Sequence, residues 1–439
     1  MEYLDSEGFV REVLTKILLA ILSKKLSEKL SEKLSEKLSE IFVDSKLSAN
    51  VTGSKKQQGA TEIQSPSELS NVLSSKGDKL YLLPGASREL PRQFAAGGRE
   101  VNFVTLAKHK EIIEYSTSDQ VISISLGMTA GELDELTAKN KQFLPLSCDH
   151  ESTLFDVINS GDGGLWEHAF GGPRDLVMGL HAVLTDGKTI KTGGKVVKNV
   201  TGYDTTKIFV GGRMYFGIPI AAHLRLYARP EWTHTMELAA GSVLQLLDQA
   251  SVFMQSDIPI TTLIISGSRD GGARMFVQLT GHKVVADELV KPLKAIAAKA
   301  LSIRETASEF DSKEEKLLQH CQANIDAVEI SASISQMRLI LSLLSDVISG
   351  KTEIKIRPGT GRFLICCNSA VEKSAVLDHL RDALEKESLS LVAAYADEAL
   401  ERKIERIGIT EEGSSNQAIV RSLKLRFDQK RILNPLVSW

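Results

Sequence analysis

Apolar and polar positions between residues 62 and 230 follow two alternating patterns. Short apolar runs predict strands at 79–83, 101–106, 121–126, 176–184, 189–192 and 218–227. Helical spacing begins at residues 65–68, where Ser67 is the expected cap, and again at 129–140. The Asp186-Gly187 pair predicts a hairpin turn between two of the strands. We therefore expect one α/β domain at 61–230.

The second region, 231–408, repeats this alternation with longer helical segments. Its predicted strands are 261–266, 273–279 and 362–367, and its predicted helices are 286–301, 334–347 and 370–385. This pattern favours a separate α/β domain at 231–408. The last segment, 409–439, contains one helical pattern that ends at an Asn434-Pro435 turn.

The first 60 residues differ in kind from the rest. Residues 13–22 form an apolar run that is too short to span a bilayer. Four acidic residues precede this run, which argues against a secretory signal. We therefore expect a cytoplasmic location, with at most peripheral contact with the inner face of a membrane.

A tetrapeptide repeat, KLSE, occurs four times between Lys25 and Glu40. Because four residues overshoot one helical turn by about 40°, the leucines wind around a helix and do not form a coiled-coil seam. One interpretation is an amphipathic helix that docks on a partner or a membrane surface. The other is a solvated low-complexity helix followed by a linker at 44–65.

The charge balance and the cysteines exclude several classes of protein. Lys and Arg number 53 against 56 Asp and Glu, a formal net charge of -3, so the clustered basic excess of nucleic-acid-binding proteins is lacking. The four cysteines contain no Cys-x-x-Cys pair, and the adjacent Cys366 and Cys367 point in opposite directions on a strand. We therefore expect neither a zinc cage nor a disulfide framework.

Common catalytic motifs are absent from the sequence. No helix-opening GxGxxG and no P-loop are present, which argues against nicotinamide and nucleoside triphosphate sites. The sequence contains no HExxH motif and no closely spaced histidine pair, so it indicates no metal site. His181, His223 and His234 are candidate acid–base groups, but an isolated histidine is more often structural, and we assign no catalytic residue.

Glycine-rich segments are concentrated between residues 153 and 218. They are NSGDGG at 159–164, FGGPRD at 170–175, GGKVVKNVTGYD at 193–204 and FVGGRMYFGI at 209–218. Glycines let a ligand approach the backbone, whose N–H groups can bind a pyrophosphate. The alternative is a set of tight turns. The interleaved Arg174, Lys195, Lys198 and Asn199 favour a phosphate site.

Four segments, 127–146, 172–194, 193–212 and 424–435, carry a family resemblance. In them the chain resembles the FAD-linked oxidase superfamily of the vanillyl-alcohol oxidase and D-lactate dehydrogenase type. Within that superfamily it is most similar to the FAD-binding E subunits of glycolate oxidase. The resemblance implies an α+β fold, with a two-subdomain PCMH-type FAD-binding domain at 61–230 and an α/β cap domain for substrate or partner at 231–408. It also implies that 409–439 returns to the FAD domain, after a helical extension at 1–60.

The resemblance further implies non-covalent FAD as the cofactor. It places the first phosphate loop on Gly85, Ala86 and Ser87. The other implied contacts are Thr153, Leu154, Ser160, Gly161, Gly171, Arg174, Asp175, Lys198, Asn199, Tyr203, Asp204, Gly217 and Ile218. Phe155 and Asp156 stand where the family pattern has two glycines. A carboxylate at Asp156 would repel a phosphate unless it is turned away.

The function implied by the resemblance is that of an FAD-binding subunit of a glycolate oxidase-like complex. Such a subunit supports oxidation of a 2-hydroxy acid, such as glycolate or D-lactate, with electron transfer through the flavin. The implied partners are a catalytic flavoprotein subunit and an iron–sulfur subunit. Two alternatives are a self-sufficient FAD-dependent 2-hydroxyacid dehydrogenase and a cofactor-free structural subunit on a degenerate flavin fold, which Phe155 and Asp156 favour.

Overall fold

The chain consists of two compact units, Met1–Gly59 and Ala60–Trp439. The computed structural model describes residues 61–74, 80–82, 101–195, 204–212, 214–268, 270–297, 302–306, 327–385, 393–396 and 415–433. All described residues belong to the second unit. The predicted KLSE helix and linker therefore lie outside the described residues.

A small parallel sheet begins the described chain. Its strands are β1 (Thr61–Glu62), β2 (Leu80–Leu82) and β3 (Val101–Thr105), in the order β1-β3-β2. The helix α1 (Pro66–Ser74) connects β1 to β2. Its first turn is capped by Ser65, whose hydroxyl accepts a hydrogen bond from the N–H of Glu68 at 3.2 Å, and not by Ser67 as predicted. Proline suits the first helical position, which explains the earlier start.

A five-stranded antiparallel sheet follows. Its strands are β4 (Ile112–Ser116), β5 (Val121–Ser125), β7 (Val177–Val183), β8 (Thr189–Gly193) and β9 (Ile218–Arg225). Their order is β4-β5-β9-β7-β8. The hairpin between β7 and β8 is confirmed at the predicted turn, where Gly187 has φ +82°. Two short strands, β6 (Gln142–Phe143) and β10 (Tyr227–Ala228), pair separately.

Five helices accompany these strands. They are α2 (Ala130–Ala138), α3 (Leu154–Ser160), α4 (Glu167–Phe170), α5 (Pro173–Leu176) and α6 (Thr206–Phe209). The sequence predicts α2 but not α3 to α6, because so few residues show no measurable periodicity. Side chains from both sheets and from several of the helices form one apolar core, which includes Ile63, Leu126, Leu154 and Ile218.

An eight-stranded antiparallel sheet occupies the second half of the described chain. Its strands are β11 (Trp232–Ala240), β12 (Thr262–Ser268), β13 (Ala273–Gly281), β14 (Ser302–Thr306), β15 (Ala327–Ser331), β16 (Glu353–Arg357), β17 (Arg362–Cys366) and β18 (Ala393–Ala396). Their order is β14-β11-β13-β12-β16-β17-β15-β18. The helices on this sheet are α7 (Val243–Met254), α8 (Ala286–Ala297), α9 (Ile334–Leu343) and α10 (Ala370–Glu385). Sheet and helices share a core that includes Phe253, Leu293 and Phe363.

The opposite face of this sheet, which we call the inner face, contacts residues 161–168 of the first half. Leu165 packs there against Ile264 and Phe276. Thr262 donates a hydrogen bond to the carbonyl of Leu165 at 3.3 Å. Both large sheets are antiparallel and their helices are grouped beside them, which is the arrangement of an α+β fold.

The last described helix, α11 (Ser415–Phe427), returns to the first half of the chain. Phe427 packs against Phe209 and Phe216. Thr185 donates a hydrogen bond to the carbonyl of Phe427 at 2.8 Å. This placement agrees with the return of the tail that the resemblance implies, while the three boundaries between the four predicted segments stay predictions.

Several further elements were not predicted from the sequence, namely β4 and the strands β11, β14, β15, β16 and β18 of the eight-stranded sheet. The predicted helix 334–347 ends at Leu343, and α7 is an additional helix that the sequence analysis missed. Cys366, at the end of β17, is disulfide-bonded. This disulfide departs from the expectation that the cysteines form no disulfide framework.

Candidate functional site

Ten of the sixteen residues implied as FAD contacts lie in the described part of the chain. The other six, Gly85, Ala86, Ser87, Lys198, Asn199 and Tyr203, lie outside it. The ten fall into three groups: the two ends of α3, the turn that leads into α5, and the segment from α6 to the start of β9.

The start of α3 contains a closed set of hydrogen bonds between Thr153 and Asp156. The hydroxyl of Thr153 accepts a hydrogen bond from the N–H of Asp156 at 3.2 Å. The N–H and the hydroxyl of Thr153 donate to the carboxylate of Asp156, at 3.3 and 2.6 Å. This is a capping box. The carboxylate of Asp156 is thus turned toward Thr153 and is held there by two hydrogen bonds.

The next two residues of α3 also use their backbone donors inside the protein. The N–H groups of Leu154 and Phe155 donate to the carbonyls of Met128 and Leu126, both at 2.9 Å. The side chains of Leu154 and Phe155 are buried in the apolar core. The first turn of α3 therefore has no donor left for a pyrophosphate, and Phe155 is accommodated because it fills the core.

The end of α3 meets a second glycine segment. Gly161 has φ +71°, and a Cβ on it would lie 2.9 Å from the Cα of Gly211. A Cβ on Gly163 would lie equally close, 2.9 Å, to the Cα of Gly172. Only glycines let backbones approach this closely. Gly161 and Gly163 are thus required by backbone packing. The hydroxyl of Ser160 donates a hydrogen bond to the carbonyl of residue 157 at 2.9 Å.

The turn before α5 holds the second group of implied contacts. Gly171 has φ +81°, and a Cβ on it would lie 2.7 Å from the Cβ of Asp175. The carboxylate of Asp175 accepts a hydrogen bond from the N–H of Gly172 at 3.0 Å. Asp175 therefore caps the turn. The side chain of Arg174 is exposed there and is the cation of this group that solvent and ligands can reach.

The third group combines a surface residue with core residues. Asp204 accepts a hydrogen bond from the N–H of Thr206 at 3.2 Å. Ile218 is fully buried in the core, and a Cβ on Gly217 would lie 3.1 Å from the side chains of Leu184 and Phe209. Gly217 and Ile218 therefore have only backbone atoms to offer a ligand.

The chain around Gly194 fits a polar ligand such as a phosphate or a ribose. No heavy atom lies within 4 Å of a Cβ built on Gly194. The hydroxyl of Thr206 lies 2.7 Å from a Cβ built on Gly193. This hydroxyl is buried and has no hydrogen-bond partner among the described residues. A buried hydroxyl that lacks a partner suits a group with acceptor oxygens, so Thr206 fits a polar part of FAD, and the space at Gly194 leaves room for a ligand.

The segment that continues from β8 reaches the opposite edge of the five-stranded sheet. Lys195 forms an ion pair with Glu114 of β4, although β8 and β4 are the two edge strands. A Cβ on Gly179 of β7 would lie 2.7 Å from the nitrogen of Gly194, so the start of this segment packs closely against β7. Lys195 therefore bridges the sheet on the side that carries His223.

His181 and His223, which the sequence analysis treats as isolated, lie next to each other on β7 and β9. Their ring centroids are 5.6 Å apart and the rings are perpendicular. The Nδ1 of His223 is 2.7 Å from the hydroxyl of Ser123. Burial lowers the pKa of both histidines, and the nearby Lys191 lowers that of His181 further. Both rings are thus favoured in the neutral form.

A cluster of five charged side chains joins residues 161–168 to the inner face of the eight-stranded sheet. It consists of Asp162, Glu167, Glu329, Arg357 and Arg362, and we call it the ion cluster. Burial alone would raise the pKa of Asp162, but Arg357 and Arg362 outweigh it and hold this pKa well below its ordinary value. Burial raises the pKa of Glu167 against the opposing effect of Arg362. No sequence spacing relates residues so far apart, so the cluster could not be predicted from local patterns.

No group of three or more His, Cys, Asp or Glu side chains in the described ranges could hold a metal ion. No helix in the part of the chain that the structure covers is long and apolar enough to cross a membrane.

Known proteins are similar to this chain in sequence. A family described as an FAD binding domain matches residues 70–193. Glycolate oxidase subunit GlcD of Bacillus subtilis is 23% identical over 384 residues, which are 76% of this chain and 79% of that protein. Glycolate oxidase subunit GlcE of Escherichia coli is 26% identical over 210 residues, 45% of this chain and 60% of that protein. A probable mitochondrial D-lactate dehydrogenase of Danio rerio is 26% identical over 162 residues, 36% of this chain and 33% of that protein.

Solved structures share the fold over most of the chain. Alkyldihydroxyacetonephosphate synthase has a TM-score of 0.64 at 14% identity and covers 85% of this chain and 75% of its own. p-Cresol methylhydroxylase with substrate bound has a TM-score of 0.63 at 15% identity and covers 86% of this chain and 88% of its own. The implied α+β fold with a PCMH-type FAD-binding domain is confirmed. Together with the homology to glycolate oxidase subunits and D-lactate dehydrogenases, the matched domain identifies FAD as the cofactor and supports the place of this chain in the FAD-linked oxidase superfamily.

Proposed function

We propose that the chain is the FAD-binding subunit of a glycolate oxidase-like complex. In this role it supports oxidation of a 2-hydroxy acid, such as glycolate or D-lactate, by passing electrons through its flavin. Its partners would be the subunit that oxidises the hydroxy acid and an iron–sulfur subunit. The similarity to two different glycolate oxidase subunits supports this class of function.

The observation that supports the auxiliary role most directly is the ion cluster. A 2-hydroxy acid needs a cation for its carboxylate, and arginine binds carboxylates through two parallel hydrogen bonds. Arg357 and Arg362 are cations of this kind on the inner face, but the three carboxylates of the cluster already bind them. A substrate carboxylate would have to displace one of the protein's own. Arg357 and Arg362 are therefore not available as they stand to bind the carboxylate of a hydroxy acid.

Turnover with and without the partner subunit tests the proposal. The full chain is reconstituted with FAD, its visible flavin absorption is recorded, and it is assayed with glycolate and with D-lactate and an artificial electron acceptor. We expect bound FAD, no turnover by the chain alone, and faster turnover by the hydroxy-acid-oxidising subunit once the chain is added. Bleaching of the flavin bands by either acid in the absence of that subunit would contradict the auxiliary role.

A self-sufficient FAD-dependent 2-hydroxyacid dehydrogenase is the second candidate. The similarity to GlcD over 384 residues and to a D-lactate dehydrogenase favours it. It differs from the first candidate in one result, because it requires bleaching of the flavin by the acid alone. The match to an FAD-binding domain argues against the third hypothesis, a cofactor-free structural subunit.

A further inference from the structure

The ion cluster contains two arginines that lie directly opposite each other in one hairpin. Arg357 ends β16, Arg362 begins β17, and the two residues are cross-strand partners. Gly361, with φ +72°, completes the connection between them. Their side chains are mostly buried, with exposed fractions of 19% and 23%. The hairpin thus presents two guanidinium groups together to residues 161–168.

Arg357 binds one side of the turn that follows α3. Its Nη1 and Nη2 donate to the two carboxylate oxygens of Asp162 at 2.8 and 2.9 Å. Its Nη1 also donates to the carbonyl of Gly164 at 2.9 Å. The carboxylate of Asp162 accepts a further hydrogen bond from the N–H of Gly164 at 2.9 Å. Arg357 therefore fixes both the side chain and the backbone of this turn.

Arg362 binds the beginning of the same turn. Its Nη2 donates to the carbonyl of Gly161 at 3.1 Å, and its Nη1 donates to Glu329 at 2.7 Å. Its Nε lies 3.6 Å from the carboxylate of Glu167. That carboxylate accepts a hydrogen bond from the N–H of Gly163 at 3.3 Å. All three glycines of the turn are therefore held by groups of the ion cluster.

The turn needs such external contacts because its own residues do not define its shape. Gly161 and Gly164 have φ +71° and +72°, and glycine adopts positive and negative φ with almost equal ease. The turn begins at Gly161, itself an implied FAD contact, and lies between Ser160 and the implied contacts Gly171, Arg174 and Asp175. Its conformation fixes where α3 ends and where the next group begins.

We propose that Arg357 and Arg362 are positioning residues for FAD binding, although they lie outside the 70–193 segment that matches the FAD-binding domain. They hold the Gly161–Gly164 turn in the shape that the cofactor requires, so the affinity for FAD depends on the eight-stranded sheet. This inference rests on the proposed function, because it assumes that the full chain binds FAD close to this turn.

The test is an FAD titration of the full-length apoprotein, followed by flavin fluorescence. Arg357→Lys keeps the positive charge but removes the planar fork that binds Asp162 and Gly164 together. We expect the Kd for FAD to rise at least about tenfold, which is the loss expected for one charge-assisted hydrogen bond. Arg274→Lys is the matched control, since its ion pair with Glu237, at 3.9 Å, belongs to the same sheet but does not contact the turn.

A double-mutant cycle separates positioning from general stability. Asp162→Asn, which is nearly isosteric, should raise the Kd as much as Arg357→Lys does, and the double variant should show no further rise. Asp162→Asn also serves as the second variant if Arg357→Lys does not fold. Additive effects of the two substitutions would overturn the inference. So would a lower unfolding midpoint for Arg357→Lys with a Kd within about twofold of the wild type.

The same titration distinguishes failure of the inference from failure of the proposed function. A wild-type chain that takes up no FAD would overturn the proposed function, and the inference with it. A wild-type chain that binds FAD, with variants that bind it equally well, would overturn the inference alone.

Discussion

Lys424 and Asp428 form a buried ion pair, with 2.8 Å between Nζ and Oδ2, near the end of α11. The carboxylate of Asp428 also accepts hydrogen bonds from the N–H groups of Ile432 and Leu433, at 2.9 and 3.0 Å. Lys424 donates to the carbonyls of Tyr215 and Leu433, at 2.7 and 3.0 Å. A buried pair is tolerated when further hydrogen bonds satisfy its charges, as they do here. The pair thus fixes the tail to the first half of the chain.

Breaking this pair should destabilise the protein strongly. Asp428→Asn leaves the ammonium of Lys424 buried beside a neutral partner, and we expect the free energy of unfolding to fall by about 3–5 kcal/mol. Urea unfolding followed by circular dichroism measures the change. Asp378→Asn is the control, because its ion pair with Arg381 is exposed and should contribute less than about 1 kcal/mol. Equal losses for the two variants would contradict the structural role assigned to Lys424 and Asp428.

The orientation of Asp156 gives a prediction about the cofactor. Because its carboxylate is turned toward Thr153, Asp156→Asn should change the Kd for FAD by less than about twofold. It should lower the free energy of unfolding by about 0.5–1 kcal/mol, the usual contribution of a cap. Glu132→Gln, in the matching capping box of α2 with Thr129, should lower the free energy of unfolding by a similar amount. Clearly tighter FAD binding by Asp156→Asn would show instead that this carboxylate opposes the phosphates.

The open space beside Gly194 can be tested by filling it. Gly194→Leu should leave the stability of the apoprotein unchanged, because no atom lies within 4 Å of its Cβ position. It should weaken FAD binding at least about tenfold, or ~1.4 kcal/mol, if the cofactor uses this space. Gly281→Leu is the matched control, since its Cβ position is equally open but lies on β13. The two Kd values come from the same fluorescence titration, and equal values would exclude Gly194 from the cofactor site.

The histidine pair should make stability depend on pH below neutrality. The pKa values of His181 and His223 are lowered in the folded protein, mainly by burial, so the unfolded chain binds more protons in this range. Their contribution is therefore present above about pH 6.5, the ordinary pKa of histidine, and is lost as the pH falls through the folded pKa values. Around His223, Lys195 and Lys191 act in the same direction and Glu114 opposes them.

Unfolding midpoints measured between about pH 7.5 and pH 5 test this dependence. His223→Asn keeps a polar atom near the hydroxyl of Ser123 but cannot titrate, so the midpoint should fall less steeply with acid than in the wild type. His379→Gln, at an exposed position on α10, is the control for replacing a histidine. Identical slopes for the wild type and His223→Asn would contradict the assignment.

Local patterns in the sequence predicted much of the framework. The strands at 101–106, 121–126, 176–184 and 218–227 appear within a residue or two of their predicted ends, and the hairpin at Asp186-Gly187 is present. These features depend on alternation, helical spacing and turn residues, which neighbouring positions encode. The resemblance carried by the glycine-rich segments gave the superfamily and the cofactor. Helices α3 to α6 were missed because they are too short for a period.

What the sequence by itself determined is therefore the kind of fold, the order of its main elements and the class of cofactor. Only the tertiary structure decided which distant side chains meet. Arg357 and Asp162 are 195 positions apart, and the pairing of β7 with β9 brings His181 and His223 together. The direction of the Asp156 carboxylate was likewise open until the hydrogen bonds with Thr153 were known. The physical reason is that such contacts follow from strand order and packing, which no local pattern of residues encodes.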